Sequence, residues 1–178
     1  MDRQGVDVHV IFPSLFLGLA PETPAVERAL TRAYNRFLAD RCAGSRGRLR
    51  WVMLPALKSM DDTLRELEWA AKHGAIGVHL RGLEGNRPID HPDFFPIYRV
   101  AQDLDMPICV HIGHGSPAYR LIRRNAEDRA TRFHMVVPTL LSFNALATGE
   151  VARQFPRLRF GFFEAGSAWL PYLVQAAN

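Results

Sequence analysis

Short apolar runs alternate with helical patterns five times along this chain of 178 residues, and no hairpin signal joins one run to the next. Such alternation is typical of parallel βαβ units, in which a helix crosses over between neighbouring strands. We predict the runs to be strands at 6–12, 49–54, 75–80, 107–111 and 158–163. The sequence therefore predicts an α/β fold in a single domain, residues 1–178, with about five βα units.

The helical patterns between these runs carry their own start and stop signals. Thr23 and Pro24 begin a helix predicted for 24–41. Its apolar face is predicted to be Val26, Leu30, Ala33, Phe37 and Leu38. A second helix follows Ser59 and ends near His73, and its core stripe is predicted to be Leu64, Leu67, Ala70 and Ala71. Later helices are predicted at 93–104, 138–147 and 167–177, with a short one between Gly149 and Pro156.

Two architectures accommodate this alternation: an open, doubly wound sheet and part of a (β/α)₈ barrel. Hydrophobic periodicity alone does not distinguish them. No G-x-G-x-x-G pattern and no P-loop pattern follows any predicted strand, which disfavours an open sheet that binds a nucleotide.

Composition excludes several function classes. The chain is 48% hydrophobic with a net charge of +4, and no apolar run approaches the length of a membrane span. We expect a cytoplasmic protein, because there is no signal-peptide pattern and the two cysteines, Cys42 and Cys109, lie in a predicted helix and a predicted buried strand. No basic helix or aromatic platform indicates nucleic-acid binding.

The stretch 106–115 combines a buried strand with a glycine-rich loop. Pro107 can open a strand, and the apolar residues after it suit a parallel strand that is covered on both faces. By alternation Cys109 and His111 share one face of this strand. His111 ends the strand, and the carboxyl ends of parallel strands are where α/β folds place their chemistry.

Several segments, in this order and spacing, resemble the amidohydrolase-2 family: 5–14, 54–55, 74–78, 90–94 leading into 106–111, and 155–160 followed by 164–171. The branch they resemble contains aminocarboxymuconate-semialdehyde decarboxylase, γ-resorcylate decarboxylase and metal-dependent hydrolases. The resemblance implies a distorted (β/α)₈ TIM barrel, in which the five predicted strands would be strands two to six.

The resemblance also assigns chemistry to particular residues. His111 matches the family's metal-binding histidine after strand five, and the implied cofactor is a divalent metal, with zinc expected. Glu164 falls where decarboxylase members carry a second histidine for acid–base chemistry. The family's H-x-H pair would precede Met1 and its metal-binding aspartate would follow Asn178. A complete barrel takes about 250 residues, so we expect this chain to be the central portion of one.

Other polar residues near the predicted strand ends are candidates for substrate binding. His79 and Arg81 alternate on the third strand, so both can face the barrel mouth, where Arg81 could grip a substrate carboxylate. His114 follows His111 closely and could line the pocket. Glu164 follows an apolar strand, so desolvation would raise its pKa and suit a general acid or base. The competing interpretation is structural: a rim pair for His79 and Arg81, and a loop-bonding carboxylate for Glu164.

The segment 114–133 is rich in arginine, and it follows a strand that ends in a candidate ligand. It could attract an acidic substrate, pack against a neighbouring subunit or form a solvated helix face. The arginines are Arg120, Arg123, Arg124, Arg129 and Arg132. Among the remaining histidines, we predict packing for His9, a helix-dipole contact for His73 and a place beside a helix cap for His91.

Three functions follow from these observations. The first is the central portion of a metal-dependent hydrolase or carboxy-lyase that acts on a small carboxylated or aromatic substrate. The second is a non-catalytic half-barrel that forms homo-oligomers through its open sheet edges. The third is a small ligand-binding domain with an open sheet. An H-x-H upstream and an aspartate downstream would favour the enzyme, whereas capped edges at 6–12 and 158–163 would favour the open sheet.

Overall fold

The computed structural model describes residues 1–18, 21–113, 115–117, 119 and 131–176, apart from the side chains of 131–134. The strands in these ranges are His9–Ile11 (β1), Leu49–Met53 (β2), Ala75–Arg81 (β3), Leu83–Glu84 (β4), Arg87–Pro88 (β5), Ile108–His111 (β6) and Phe160–Phe163 (β7). The α-helices are Pro24–Ala43 (α1), Met60–Lys72 (α2), Phe95–Asp103 (α3), Thr131–Thr148 (α4), Val151–Gln154 (α5) and Leu170–Ala176 (α6). Each of the five predicted strands is present, and β1 and β7 are shorter than predicted.

The order of the strands decides between the two candidate architectures. In the described residues, five strands form one parallel sheet in the order β1-β2-β3-β6-β7. Each strand of this sheet lies beside the sheet strand that follows it along the chain. A doubly wound sheet would reverse direction part-way through this order. The sheet instead winds one way and curls into half of a barrel, which confirms the partial (β/α)₈ fold.

The main core lies between the convex face of the sheet and the helices. Alternate strand residues point into it, and all are almost fully buried: Trp51, Met53, Val78, Leu80, Ile108 and Val110. From α2, Leu67 and Ala70 are completely buried, as its predicted core stripe requires. The opposite, concave face of the same strands is therefore the barrel interior.

The predicted apolar face of α1 is wrong. Val26, Leu30 and Phe37 are 50%, 41% and 52% exposed, and of the predicted set Leu38 is buried in the core. The face that turns inward is half polar: Glu27, Thr31 and Asn35, all at or below 9% exposure, are buried beside Leu38, Ala39 and Cys42.

Hydrogen bonds to the loop after β2 explain why α1 buries polar side chains. The Asn35 amide donates to the carbonyl oxygen of Leu54 at 3.0 Å and accepts from the Leu54 N–H at 3.0 Å. The Glu27 carboxylate accepts from the backbone N–H of Lys58 at 2.7 Å. Buried backbone groups need such partners, and in this loop the helix side chains supply them.

A small antiparallel hairpin, β4–β5, follows β3 and was not predicted. Gly85 turns the chain between its strands with a φ of 63°. The loop after β6 is bonded to it, because the Gly115 N–H donates to the Leu83 carbonyl at 2.8 Å and the Gly85 N–H donates to the Gly115 carbonyl at 3.1 Å. The hairpin thus fixes the loop that follows His111.

Helix α4 begins earlier than predicted and contains Pro138 in its interior rather than at its start. The Ser142 hydroxyl donates to the Gly82 carbonyl at 3.0 Å, which ties α4 to the end of β3. Gly82 permits this close approach, since a Cβ there would overlap the backbone of Pro138. None of the helices in the described ranges is long and apolar enough to cross a lipid bilayer.

Candidate active site

His111 lies at the carboxyl end of β6 on the concave face of the sheet, and the residue is 5% exposed. Its Nδ1 is 3.2 Å from the carbonyl oxygen of Ile112. A carbonyl only accepts, so Nδ1 carries the proton that is donated in this bond. With the proton on Nδ1, the Nε2 atom of a neutral ring carries a lone pair that a metal can bind.

Glu164 follows β7 directly and reaches His111. β6 and β7 pair in register, with His111 opposite Phe163, and Glu164 is the next residue along the chain. Its φ of 61° is in the left-handed region. Oε2 of Glu164 lies 3.3 Å from Nε2 of His111. The carboxylate is 62% exposed, so most of it is open to solvent.

The separation of these two atoms has a chemical meaning. A carboxylate oxygen and an imidazole lone pair repel one another unless a proton or a cation lies between them. Two ligands of one tetrahedral metal, with bonds of about 2.0 Å, have donor atoms about 3.3 Å apart. The separation is compatible with a proton shared between the two groups and with two ligands of one metal. Within the described residues, no cluster of three or more His, Cys, Asp or Glu side chains has metal-site geometry.

Two phenylalanines that sequence reasoning missed flank His111. The Phe12 ring centroid lies 5.1 Å from that of His111 and 4.5 Å from that of Phe163. Phe12 comes from the loop after β1, and Phe163 belongs to β7 at the other end of the sheet. Alternation from Val10 places Phe12 on the concave face, and this signal was available in the sequence.

His79 lies deeper on the same concave face, as its alternation with Arg81 predicted. It is 1% exposed, and its ring centroid is 5.9 Å from that of His111. Neither ring nitrogen has a hydrogen-bond partner among the described residues. Burial, followed by the positive charge of Arg81 and the nearby His111, holds the pKa of His79 well below its usual value. A cavity of about 20 Å³ beside it is large enough for one water molecule.

Arg81 is held by a neighbouring carboxylate. Its Nε and Nη2 donate to the two oxygens of Glu84 at 3.0 and 2.6 Å, and its Nη1 donates to the carbonyl of Phe16 at 3.0 Å. Both members of this ion pair are buried. The prediction that Arg81 grips a substrate carboxylate does not fit this geometry, because the guanidinium fork is engaged by Glu84. The pair fixes the loops around the mouth instead.

Gly115 shows how tightly these loops are packed against the Arg81–Glu84 pair. A Cβ at this position would lie 2.5 Å from Nη2 of Arg81 and 2.6 Å from Oε2 of Glu84. Glu84, Gly115 and Phe16 were not singled out from the sequence. An acidic residue three positions after a strand arginine was the available signal for Glu84.

Several sequence candidates lie outside the described residues. They are His114 and the arginines Arg120, Arg123, Arg124 and Arg129. The side chains of Arg132 and His134 also lie outside the described part of the chain. The predicted pocket role of His114 therefore stays a prediction.

The remaining histidines have local roles. His9 is exposed rather than packed, because it opens the edge strand β1. His91 is itself the cap of the 3₁₀-helix Pro92–Phe94, where its Nδ1 accepts from the N–H of Asp93 at 3.2 Å. His73 ends α2 and stacks on Trp69 with ring centroids 3.9 Å apart.

Comparison with solved structures supports the fold assignment. The chain is similar to 2,6-dihydroxybenzoate decarboxylase from Rhizobium, with 20% identity, a TM-score of 0.78, and coverage of 99% of this chain and 57% of that one. It is similar to 5-carboxyvanillate decarboxylase from Novosphingobium aromaticivorans with bound manganese, with 23% identity, a TM-score of 0.76, and coverage of 99% and 53%. An amidohydrolase from Mycobacterium avium subsp. paratuberculosis gives 16% identity, a TM-score of 0.82, and coverage of 99% and 48%.

The chain spans about half the length of these solved structures. No curated protein matches it. The family model described as amidohydrolase matches residues 1–177, which is almost the whole sequence. With its singly wound parallel sheet and a histidine at the carboxyl end of β6, this chain belongs to the amidohydrolase family.

Proposed function

We propose that this chain supplies the central strands and part of the active site of a metal-dependent enzyme that hydrolyses or decarboxylates a small carboxylated or aromatic substrate. The observation that carries the proposal is the 3.3 Å separation between Nε2 of His111 and Oε2 of Glu164. Both atoms lie at the carboxyl ends of adjacent parallel strands, where barrel enzymes place their active sites.

In this proposal His111 binds the metal through Nε2, and the carbonyl of Ile112 holds the ring in the required tautomer. Glu164 is a second ligand, or it moves a proton to or from the substrate, and its 62% exposure gives it access to solvent and substrate. When bound, a divalent cation would polarise a water molecule or a substrate oxygen. The family resemblance led us to expect zinc, whereas a similar structure contains manganese, so both ions should be tested.

The aromatic side chains beside His111 support a planar substrate. Phe12 and Phe163 are half-buried and offer ring faces next to the proposed ligand. Aromatic rings stack on one another with gains of about 0.5–1.5 kcal/mol beyond area burial. His79 borders this space as a neutral imidazole, and His114 remains a proposed pocket residue. Arg81 is assigned to loop positioning rather than to substrate contact.

A Mn²⁺ titration followed by electron paramagnetic resonance tests the proposal. We expect His111→Ala to weaken Mn²⁺ binding at least about tenfold and Glu164→Gln to weaken it as well, because each variant removes one donor of the pair. His9→Ala is the matched control, since it removes an exposed imidazole on β1. Binding that is unchanged in His111→Ala, or equally reduced in His9→Ala, would refute the assignment. Zn²⁺ competition against Mn²⁺ then ranks the two ions.

The half-barrel that associates through its edges remains the second candidate, and one observation favours it. In the described sheet β1 pairs with β2 alone, and the neighbouring helix α1 exposes Val26, Leu30 and Phe37. An unpaired strand edge beside exposed apolar side chains is a surface prone to association. If copies of this chain associate and no metal binds, the result favours this candidate over the enzyme.

A further inference from the structure

A groove of about 170 Å³ lies between helices α1 and α2, on elements that do not carry the candidate active site. Pockets for drug-sized ligands measure about 300–1,000 Å³, so this groove suits one small chemical group. Four guanidinium groups line it, from Arg28, Arg32, Arg36 and Arg65. Two carboxylates, Asp62 and Glu66, also belong to the lining.

Three of the arginines donate hydrogen bonds to every oxygen of the two carboxylates. Glu66 accepts from both Nη atoms of Arg36, at 2.8 and 3.1 Å. Asp62 accepts from Arg28 at 3.1 Å through one oxygen and from Arg65 at 2.6 Å through the other. All four carboxylate oxygens of the groove therefore already bind a guanidinium N–H.

Arg32 is the arginine left without a carboxylate in the described part of the groove. It lies one helical turn after Arg28 and one turn before Arg36, and like charges at this spacing repel one another. The lining carries four positive and two negative charges, so the groove has an excess of positive charge. An anion in the groove would relieve this repulsion.

Several other lining residues of the groove already have partners within the protein, which leaves the arginines as its donors. The Arg36 guanidinium is 3.0 Å from the Trp69 ring centroid and is clamped by Glu66. The hydroxyls of Thr31 and Thr63 donate to backbone carbonyls within the protein, at 3.3 and 2.8 Å. A bound group must therefore accept hydrogen bonds from guanidinium groups, which prefer the oxygens of phosphates and carboxylates.

We propose that the groove between α1 and α2 binds a small oxyanion, a phosphate or carboxylate group, through Arg32 with Arg28 and Arg65 beside it. This site does not depend on the proposed catalytic function, because it shares no residue with the His111–Glu164 pair. Its ligand is a small molecule or a substituent of one, as the volume of the groove requires.

Titrations of the full chain with inorganic phosphate and, separately, with acetate test the proposal. Calorimetry should show saturable binding of at least one of the two anions. Tighter binding of phosphate or of acetate identifies a phosphate or a carboxylate as the preferred group. Arg32→Ala should weaken binding about tenfold to a hundredfold, because it removes a charged hydrogen-bond donor. Added sodium chloride should weaken binding by screening.

Arg99→Ala is the matched control, since it removes an exposed arginine from α3 and changes the net charge by the same amount. This control should bind within twofold of the unmodified chain. Circular dichroism spectra that coincide for the three proteins show that the folds are comparable. Absence of saturable binding of both anions, or an equal loss in Arg32→Ala and Arg99→Ala, would overturn the proposal.

Discussion

The imidazole of His79 is buried at 1% exposure, and no described residue forms a hydrogen bond with either ring nitrogen. Leaving a buried polar group unsatisfied costs about 1–3 kcal/mol. His79→Leu, a change of similar volume, should therefore raise the free energy of unfolding by about 1–3 kcal/mol in urea denaturation. His9→Leu, at an exposed position, should leave it within about 0.5 kcal/mol. A destabilised His79→Leu protein would contradict the prediction that the buried imidazole lacks a hydrogen bond.

The same residue predicts a pH dependence of stability. Because burial, Arg81 and His111 hold the pKa of His79 well below its usual value, the unfolded chain takes up a proton below about pH 6.5 while the folded chain does not. The effect of His79 on the free energy of unfolding is therefore constant above about pH 6.5. It becomes more unfavourable as the pH falls below this value, by up to about 1.4 kcal/mol per pH unit. Urea denaturation at a series of pH values should show a shallower slope for His79→Leu, and identical slopes would contradict the prediction.

The alternation of side chains along the strands was enough to predict which residues lie on the concave face. It was not enough to predict that His111 and Glu164 are in contact. Period-two alternation paired His79 with Arg81 on one strand and Cys109 with His111 on another. The pairing of the two strands places all four residues on the same face. The contact between His111 and Glu164 depends on the β6–β7 register and on the left-handed backbone of Glu164. Neither can be deduced from local pattern, because both are set by tertiary packing.

Among the elements, the junction between β3 and α4 depends on the absence of a side chain at Gly82. A Cβ at this position would overlap the carbonyl of Pro138, which belongs to the helix backbone and cannot rotate away. Gly82→Ala should therefore lower the free energy of unfolding by about 1–3 kcal/mol. Gly44→Ala is the control, because Gly44 has an ordinary φ of −78° and no atom within 4 Å of the added Cβ. Thermal unfolding that shifts equally in both variants would contradict this prediction.

Two helices show which element properties the sequence could not supply. The boundaries of α1 were predicted closely from its cap and first-turn proline, yet its inward face was wrong because Asn35 and Glu27 are buried against the backbone of a distant loop. Helix α4 begins before Pro138, the residue predicted to start it. In α1, contacts remote in sequence outweigh local propensity.

For the whole molecule, the apolar surface of α1 predicts association. Leu30 is 41% exposed on the same face as Val26 and Phe37, which are about half exposed. Leu30→Glu should reduce the sedimentation coefficient by weakening association, while unfolding free energy stays within about 0.5 kcal/mol. Leu141→Glu, at a 56% exposed position on α4, is the control. Equal sedimentation of the unmodified chain and Leu30→Glu would show that this face is not an interface.

The α/β class and the five strands of the large sheet followed from the sequence, because strand and helix patterns alternate along it. The direction of winding did not, since it is a property of strand order, and the resemblance to the amidohydrolase-2 family supplied it. The hairpin β4–β5 was missed because each of its strands is two residues long, too short to give an alternating pattern.

The contact between Phe12 and Phe163 has a consequence for how the chain acquires its structure. Every strand of the large sheet pairs with its nearest sequence neighbour, so the sheet can grow stepwise from the amino end as the polypeptide emerges from a ribosome. The two phenylalanines, in contrast, come from opposite ends of the chain, and their rings meet at 4.5 Å. Contacts of such long sequence separation carry a large loop-closure entropy and form late. We therefore expect the wall that Phe12 and Phe163 form beside His111 to be completed only after β7 has joined the sheet.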